Sequence, residues 1–349
     1  METRTPVISV IVPTCNRSDL LKSSLESLTN QSVPKHRYEI VVIDDGSIDA
    51  TADVCQAFSL RVRLKYFRIE NSGISAAKNL GVFASGGSIL LFFDDDDIAD
   101  RNLIGQHIEF HEKDRDETIA ALGYTTWHPP LRVSELMHYV TDVGHFLFSY
   151  RNLTDGQVLD YTYFWGGRSS CKRSLLANNG IFNQEFRFGC EDIELGYRLS
   201  KLGLKVIFNR NAVQYMNRPL TYEEFCRRCE KQGTSQYTFS QLHPQPEVQQ
   251  YCQVIDAEAK WRDLEQRLDG KVSRVHEIER RLESRPNNDR RRMLLDELWA
   301  LYKWTFNAFK TKGIVDARAL SDARETQPSN PLTVEKHLCE GAARQALCS

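Results

Sequence analysis

The first hundred residues alternate between short apolar runs and segments whose apolar positions recur every three or four residues. Val7–Val12 is a β-branched run interrupted only by Ser9 and closed by Pro13. Glu39–Ile43 and Ser88–Phe93 repeat the pattern, with a weaker copy at Arg63–Phe67. Between them, Ser18–Asn30 carries Leu20, Leu21, Leu25 and Leu28 at helical spacing, with Ser18 available as a cap. Asp49–Phe58 and Ser75–Phe83 read as further helices, the second ended by Gly86-Gly87. Strands that are largely apolar, rather than alternating, predict burial on both faces. The expected fold class is therefore α/β: a Rossmann-like, mostly parallel sheet flanked by helices and joined by right-handed crossovers.

Ligands of such sheets bind beyond the carboxyl ends of the strands. Thr14–Arg17, Asp44–Ser47 and Asp94–Asp97 each follow a strand directly, so three separate stretches deliver polar residues to one sheet edge. Beyond residue 100 the pattern is mixed, with Tyr161, Tyr163, Phe164 and Trp165 leading to Gly166-Gly167. A helix is expected from about Cys190, with Leu195, Leu199 and Leu202 as its apolar stripe and Gly203 as its stop. From about Gln245 charged helix formers dominate, broken at Arg285-Pro286-Asn287-Asn288 and resuming over Asp289–Lys310. The organisation expected is an α/β domain over residues 1–240, a helical C-terminal extension over 245–312 and a flexible polar tail over 313–349.

Composition narrows the partners. Forty-five basic against 47 acidic residues give a net charge of -2, which argues against nucleic acid as the main partner. No apolar run approaches the roughly 20 residues needed to cross a bilayer. The short polar lead before Val7 leaves no room for a signal peptide. Nine scattered cysteines, odd in number, fit reduced thiols in a cytoplasmic setting. Cys226 and Cys229 lie in a helix-like segment and read as two helical thiols rather than a zinc site.

Four adjacent carboxylates, Asp94 to Asp97, repel one another unless a cation is near. On an extended segment Asp94 and Asp96 point the same way and can share a hard divalent ion, Mg²⁺ or Mn²⁺, with phosphate oxygens; a solvated acidic turn is the plainer alternative. Asp44-Asp45-Gly46-Ser47 is good turn chemistry, and its acids can also accept hydrogen bonds from a nucleoside. Asn71 to Asn79 opens a helix whose N-terminal amides suit an anion, with Lys78 facing a diphosphate or lying in solvent. Glu191 and Asp192 sit in a first helical turn, where the helix dipole favours acids; the functional alternative is a general base aimed into the site.

Together these segments resemble the family 2 inverting glycosyltransferases of the GT-A fold. The matching stretches run in order: Val7 to Arg17, Val41 to Asp49, Asn71-x-Gly73 with Ala77-Lys-Asn79, Phe92 to Asp97, Trp165-Gly-Gly167 with Ser170, and Glu191 to Arg198. They span residues 6–235, about two-thirds of the chain. The resemblance implies that Pro13, Thr14, Asn16, Arg17, Asp44, Asp45, Asn71, Gly73, Lys78, Asp94 and Asp95 bind the nucleotide-sugar. It implies that Asp94 and Asp96 hold the metal, and that Trp165, Gly166 and Gly167 build the acceptor pocket. Asp192 becomes the base, with Glu191 as its rival. The donor expected is a UDP-sugar, the acceptor a hydroxyl of a glycan or lipid-linked saccharide, and the reaction a single inverting displacement. One departure stands out: Met216 occupies the place where similar enzymes often have a metal-binding histidine, and a thioether is a poor ligand for a hard ion.

Trp299, Tyr302, Lys303, Trp304, Phe306, Phe309 and Lys310 suit either a helix lying on a membrane face or packing on the catalytic domain or a second subunit, as in a homodimer. Two other functions compete with this reading. A nucleotidyltransferase calls for a Gly-rich basic loop after the first strand, where this chain has Pro13-Thr-Cys-Asn-Arg17. A catalytically impaired nucleotide-sugar-binding or scaffold protein would account for Met216 but not for Asp94, Asp96 and Asp192 all being present.

Overall fold

The computed structural model describes residues 5–148, 150–284 and 288–326. The N-terminal half alternates as the sequence pattern requires: β1 (Ile8–Thr14), α1 (Ser18–Thr29), β2 (Tyr38–Asp44), α2 (Thr51–Ser59), β3 (Leu64–Arg68), α3 (Ile74–Ala84) and β4 (Ile89–Phe92). Then come β5 (Asp97–Ala99), α4 (Leu103–Lys113), β6 (Ile119–Trp127), α5 (Glu135–His138), β7 (Val158–Leu159), β8 (Ser169–Lys172), α6 (Arg173–Asn179), α7 (Glu191–Ser200) and β9 (Lys205–Met216). Four further helices follow: α8 (Tyr222–Leu242), α9 (Pro246–Cys252), α10 (Ala257–Glu283) and α11 (Asn288–Thr326).

The strands form one sheet in the order β3-β2-β1-β4-β8-β6-β9-β5, with β7 on β9. Strands β3, β2, β1 and β4 are mutually parallel, and every residue of β1, β2 and β4 is buried, as largely apolar runs demand. The second half is mixed. β8 runs antiparallel to both β4 and β6, while β6 and β9 pair in parallel. Pro13 does not close β1 but lies within it. Its missing N–H faces the β4 side, where the ladder has already ended at Ile11 opposite Phe92.

Three local expectations are corrected. Ser18 does not cap α1: Arg17 is the N-cap without a side-chain bond, and the Ser18 amide instead donates to Asp49 at 2.9 Å. Leu202 lies past the end of α7 and is 51% exposed, so Leu195 and Leu199 alone carry the buried stripe there. The helical extension continues past residue 312, as α11 runs to Thr326. The break at 285–287 and the chain after residue 326 lie outside the described residues.

The extension is packed on the sheet domain. Tyr302 and Phe306 of α11 are buried in a cluster with Trp127, Met216, Tyr222 and Phe225, and Val275 and Ile278 of α10 close it. Trp304 lies beneath the cations of Arg267 and Lys271. Apolar side chains enclosed by neighbouring helices are what packing predicts, and no described helix is long and apolar enough to cross a membrane.

Candidate active site

The carboxyl ends of β1, β2 and β4 converge as expected. Thr14 Oγ1 donates to Asp95 Oδ2 at 2.7 Å, and Arg17 reaches Asp95 at 2.9 Å and Asp96 at 3.5 Å. Asn16, in the left-handed region with φ +54°, donates its amide to Ser47 and accepts from Ile48, joining the loops after β1 and β2. Asp44 and Asp45 turn inward. Asp44 accepts from the Ser47 amide at 2.7 Å and the Tyr66 hydroxyl at 2.6 Å; Asp45 accepts from Ser72 and Gly73 at 2.7 and 2.9 Å. These acids shape the rim and fix the loop that opens α3, with Asn71 held by Arg187 at 3.0 Å.

Asp94 to Asp97 is not the extended segment that would aim Asp94 and Asp96 alike. The Asp97 amide bonds back to the Asp94 carbonyl, and the four side chains of the turn engage five residues between them. Asp94, 32% exposed, meets Arg168 at 3.0 Å. Asp95 lies under Thr14 and Arg17, Asp96 meets Arg218 at 2.8 Å, and Asp97 is buried against Arg168 and Gln214. Burial opposes ionisation of Asp94, but Arg168, Lys78 and more distant guanidiniums outweigh it and hold its carboxyl below the ordinary range. At Asp95 burial wins, helped by Asp96, and its carboxyl is pushed up to about 6.

Lys78 does not lie in solvent. It is 2% exposed, and its Nζ sits 2.8 Å from Glu191 Oε1. The pairing occupies Glu191, whose other oxygen is buried without a partner. Asp192, the next residue, is only partly buried. Its Oδ2 accepts from the Gly166 amide at 2.8 Å and its Oδ1 from the Ile193 amide at 2.8 Å. Burial, reinforced by the Glu191 charge, raises the Asp192 carboxyl to about 6 against the opposing pull of Lys78. That value lies in the range that suits a general base near neutral pH.

Gly166 and Gly167 act less as a wall than as a floor. A Cβ on Gly166 would strike Lys78 Nζ and approach Asp192 Cβ to 3.1 Å, and one on Gly167 would overlap the whole Asp94 carboxylate. Two adjacent residues without side chains therefore bring Asp192 and Asp94 onto one dipeptide. Trp165 is half-buried beside it, stacked on Tyr163 and bonded through Nε1 to the Thr162 carbonyl at 2.8 Å. Met216 is buried in the apolar cluster, while the next two residues turn to Asp96: Asn217 donates its amide to the Asp96 carbonyl and Arg218 pairs with the carboxylate. Sequence reasoning passed over Arg168 and Arg218. The available signals were a basic residue directly after Gly-Gly and another two places after Met216. Among the described residues no group of three or more His, Cys, Asp or Glu is arranged to hold a metal ion.

The family model for Glycosyl transferase family 2 matches residues 9–175. A validoxylamine A glucosyltransferase of Streptomyces hygroscopicus subsp. jinggangensis is 27% identical over 240 residues, covering 59% of this chain and 54% of that one. The minor teichoic acid biosynthesis protein GgaA of Bacillus subtilis is 34% identical over 190 residues, covering 52% and 41%. The chain thus spans about half the length of these curated relatives. Among solved structures, the mannosyltransferase PcManGT of Pyrobaculum calidifontis, in complex with GDP-Man and Mn²⁺, superposes with a TM-score of 0.52 at 17% identity, covering 97% of this chain and 80% of that one. Residues 9–175, with a GT-A-like sheet and the acidic strand ends that accompany it, thus match glycosyltransferase family 2.

Proposed function

We propose that this protein is an inverting glycosyltransferase that moves a sugar from a nucleoside diphosphate to an acceptor hydroxyl, with Asp192 as the base. The observation that carries the reading is the pair of carboxylates flanking Gly166-Gly167. Asp94 is solvent-reached and held ionised on one side; Asp192, raised to about 6, stands on the other. Asp192 takes the proton from the acceptor hydroxyl. That oxygen forms a bond to the anomeric carbon as the bond to the diphosphate oxygen breaks, and the electron pair leaves with the nucleoside diphosphate. Attack opposite the leaving group inverts the anomeric centre.

The carboxylate oxygens of Asp94 and Asp96 are hard donors that fit Mg²⁺ or Mn²⁺, with Asp94 the more open of the two. When bound, such an ion offsets charge on the departing diphosphate. Thr14, Asn16, Arg17, Asp44 and Asp45 form the rim where the nucleoside is read. UDP is the base-bearing group expected from the family; GDP, carried by the Pyrobaculum neighbour, is the alternative within the same chemistry. The glucosyltransferase and teichoic acid relatives point to hexosyl transfer onto a saccharide or polymer acceptor.

The test is a panel of UDP- and GDP-sugars screened for donor hydrolysis or transfer with Mn²⁺, Mg²⁺ or EDTA, alongside Asp192→Asn and Asp96→Ala. Release of one nucleoside diphosphate, lost in Asp192→Asn, is the expected result. Turnover unaffected by Asp192→Asn would remove Asp192 as the base, and nucleotide binding without turnover would favour an impaired binding protein.

A further inference from the structure

Helix α8 begins beyond the last residue matched by the family, yet one of its cations, Arg228, lies within electrostatic reach of Asp94. Arg228 is open to solvent but walled by protein. Its guanidinium lies 5.5 Å from the centre of the Phe188 ring, with Lys231 at the same distance from that ring. Phe188 is itself fixed to α8, because the Ser235 hydroxyl donates to its carbonyl, and it stands four residues before Asp192. The charges of Asp94, Arg168 and Arg218 all act on Arg228.

The carboxylates there are already engaged. Asp94 pairs with Arg168 at 3.0 Å and Asp96 with Arg218 at 2.8 Å. Arg228 makes no ion pair or hydrogen bond to a carboxylate among the described residues, and two other guanidiniums act on it. A cation in a cleft that is crowded by like charge lacks an anion. The anion that the proposed reaction brings beside Asp94 is the donor diphosphate, and a guanidinium meets phosphate oxygens with paired, charge-assisted hydrogen bonds.

Resting on the glycosyltransferase reading, we propose that Arg228 receives the β-phosphate of the bound nucleoside diphosphate, stacked on Phe188 and placed opposite Asp94. It is a binding residue supplied by the helical extension, and it makes that extension part of the donor site. Arg228 holds the phosphate that departs with the nucleotide, so its contribution grows as charge develops there.

The experiment titrates UDP, GDP, UMP and GMP into the full chain by calorimetry, for the wild type, Arg228→Gln and Arg228→Lys. Expected for Arg228→Gln is a roughly tenfold or greater loss of affinity for the diphosphate that the wild type prefers, with the matching monophosphate within about twofold; Arg228→Lys recovers part of the loss. A partly unfolded variant changes the number of sites rather than the diphosphate-to-monophosphate ratio, so the ratio isolates the role. Equal weakening of both nucleotides, or no change in either, overturns this assignment alone. A wild type that binds none of the four overturns the functional reading together with it.

Discussion

Gly167→Ala tests what the Gly166-Gly167 pair is for. Gly167 has no positive φ, so alanine meets no backbone obstacle and its whole effect comes from the added methyl. That methyl would overlap the Asp94 carboxylate, which must retreat by about 1 Å to reach ordinary contact. The retreat strains the 3.0 Å pair with Arg168 and moves the one solvent-reached carboxylate of the acidic run. Misplacing a positioning group by about 1 Å costs up to ~100-fold in rate. Leaving the buried Arg168 guanidinium with Asp97 as its remaining close carboxylate costs about 1–3 kcal/mol of stability.

The assay follows kcat/KM for donor hydrolysis and for transfer, with a melting curve on each variant. The same nucleotide titration is then repeated for Gly167→Ala, Asp94→Ala and the double variant. If the methyl acts through Asp94, it weakens nucleotide binding in the wild type and has little effect once Asp94 is gone. Were Gly167 only a wall of the acceptor pocket, donor hydrolysis would survive and only the acceptor KM would rise. That result, or an undiminished penalty in the Asp94→Ala background, refutes the reasoning.

Asp192→Asn should lower kcat by roughly 10²–10⁴ with the fold intact. Because the raised Asp192 carboxyl is the active base only when ionised, wild-type kcat/KM should fall as pH drops through about 6; a profile flat to pH 5 would exclude it. Lys78→Met leaves Glu191 buried and unpaired, at a cost of about 3–5 kcal/mol, and removes the charge that restrains the Asp192 pKa. Its acid limb should therefore move to higher pH, while Lys78→Met with Glu191→Gln should regain most of the stability in urea denaturation. His107 and His111 share the Ser170 hydroxyl at 2.8 and 2.9 Å, and burial depresses them to about 3 and about 4. The unfolded imidazoles, near 6.5, take up protons first as pH falls, so each ring removes ~1.4 kcal/mol of stability per pH unit from about 6.5 down towards its folded value. His111→Gln should flatten the pH dependence of stability by one such increment, and an unchanged slope would show that the ring is protonated in the folded state.

The parallel half of the sheet was legible because its evidence is local. Largely apolar runs followed at once by polar clusters mark buried strands and their ligand-facing ends, and Thr14, Asp44 and Asp94 do lie along one edge. Helix ends were readable where glycine was needed, as at Gly203 with φ +91°. What sequence reading missed depends on chain segments far apart. Periodicity carries no sign that Lys78 meets Glu191 across 113 residues, or that Arg218 meets Asp96 across 122. Nor does it reveal the turn at Asp94–Asp97, since alternation along a strand and rotation through a turn assign the same four letters to different directions.

That turn explains why the chain carries four aspartates rather than two separated ones. An extended run would have stacked Asp94 over Asp96 and left their repulsion to an ion alone. Here Asp95 is fixed by Thr14 and Arg17, Asp96 by Arg218 and Asp97 by Arg168 and Gln214, so three acids are buried and held in place. Their partners come from the end of β1 and the loop after it, from β9 and the loop after it, and from Arg168 at the entry to β8, which ties the turn to three separate parts of the sheet. Asp94 is left as the acid open to the cleft, held in place by a guanidinium and by the absence of a side chain at Gly167. In the proposed reaction a donor meets a carboxylate whose position is already set. Little reorganisation then remains for the moment of transfer, which is the condition under which fixed charges contribute most to catalysis.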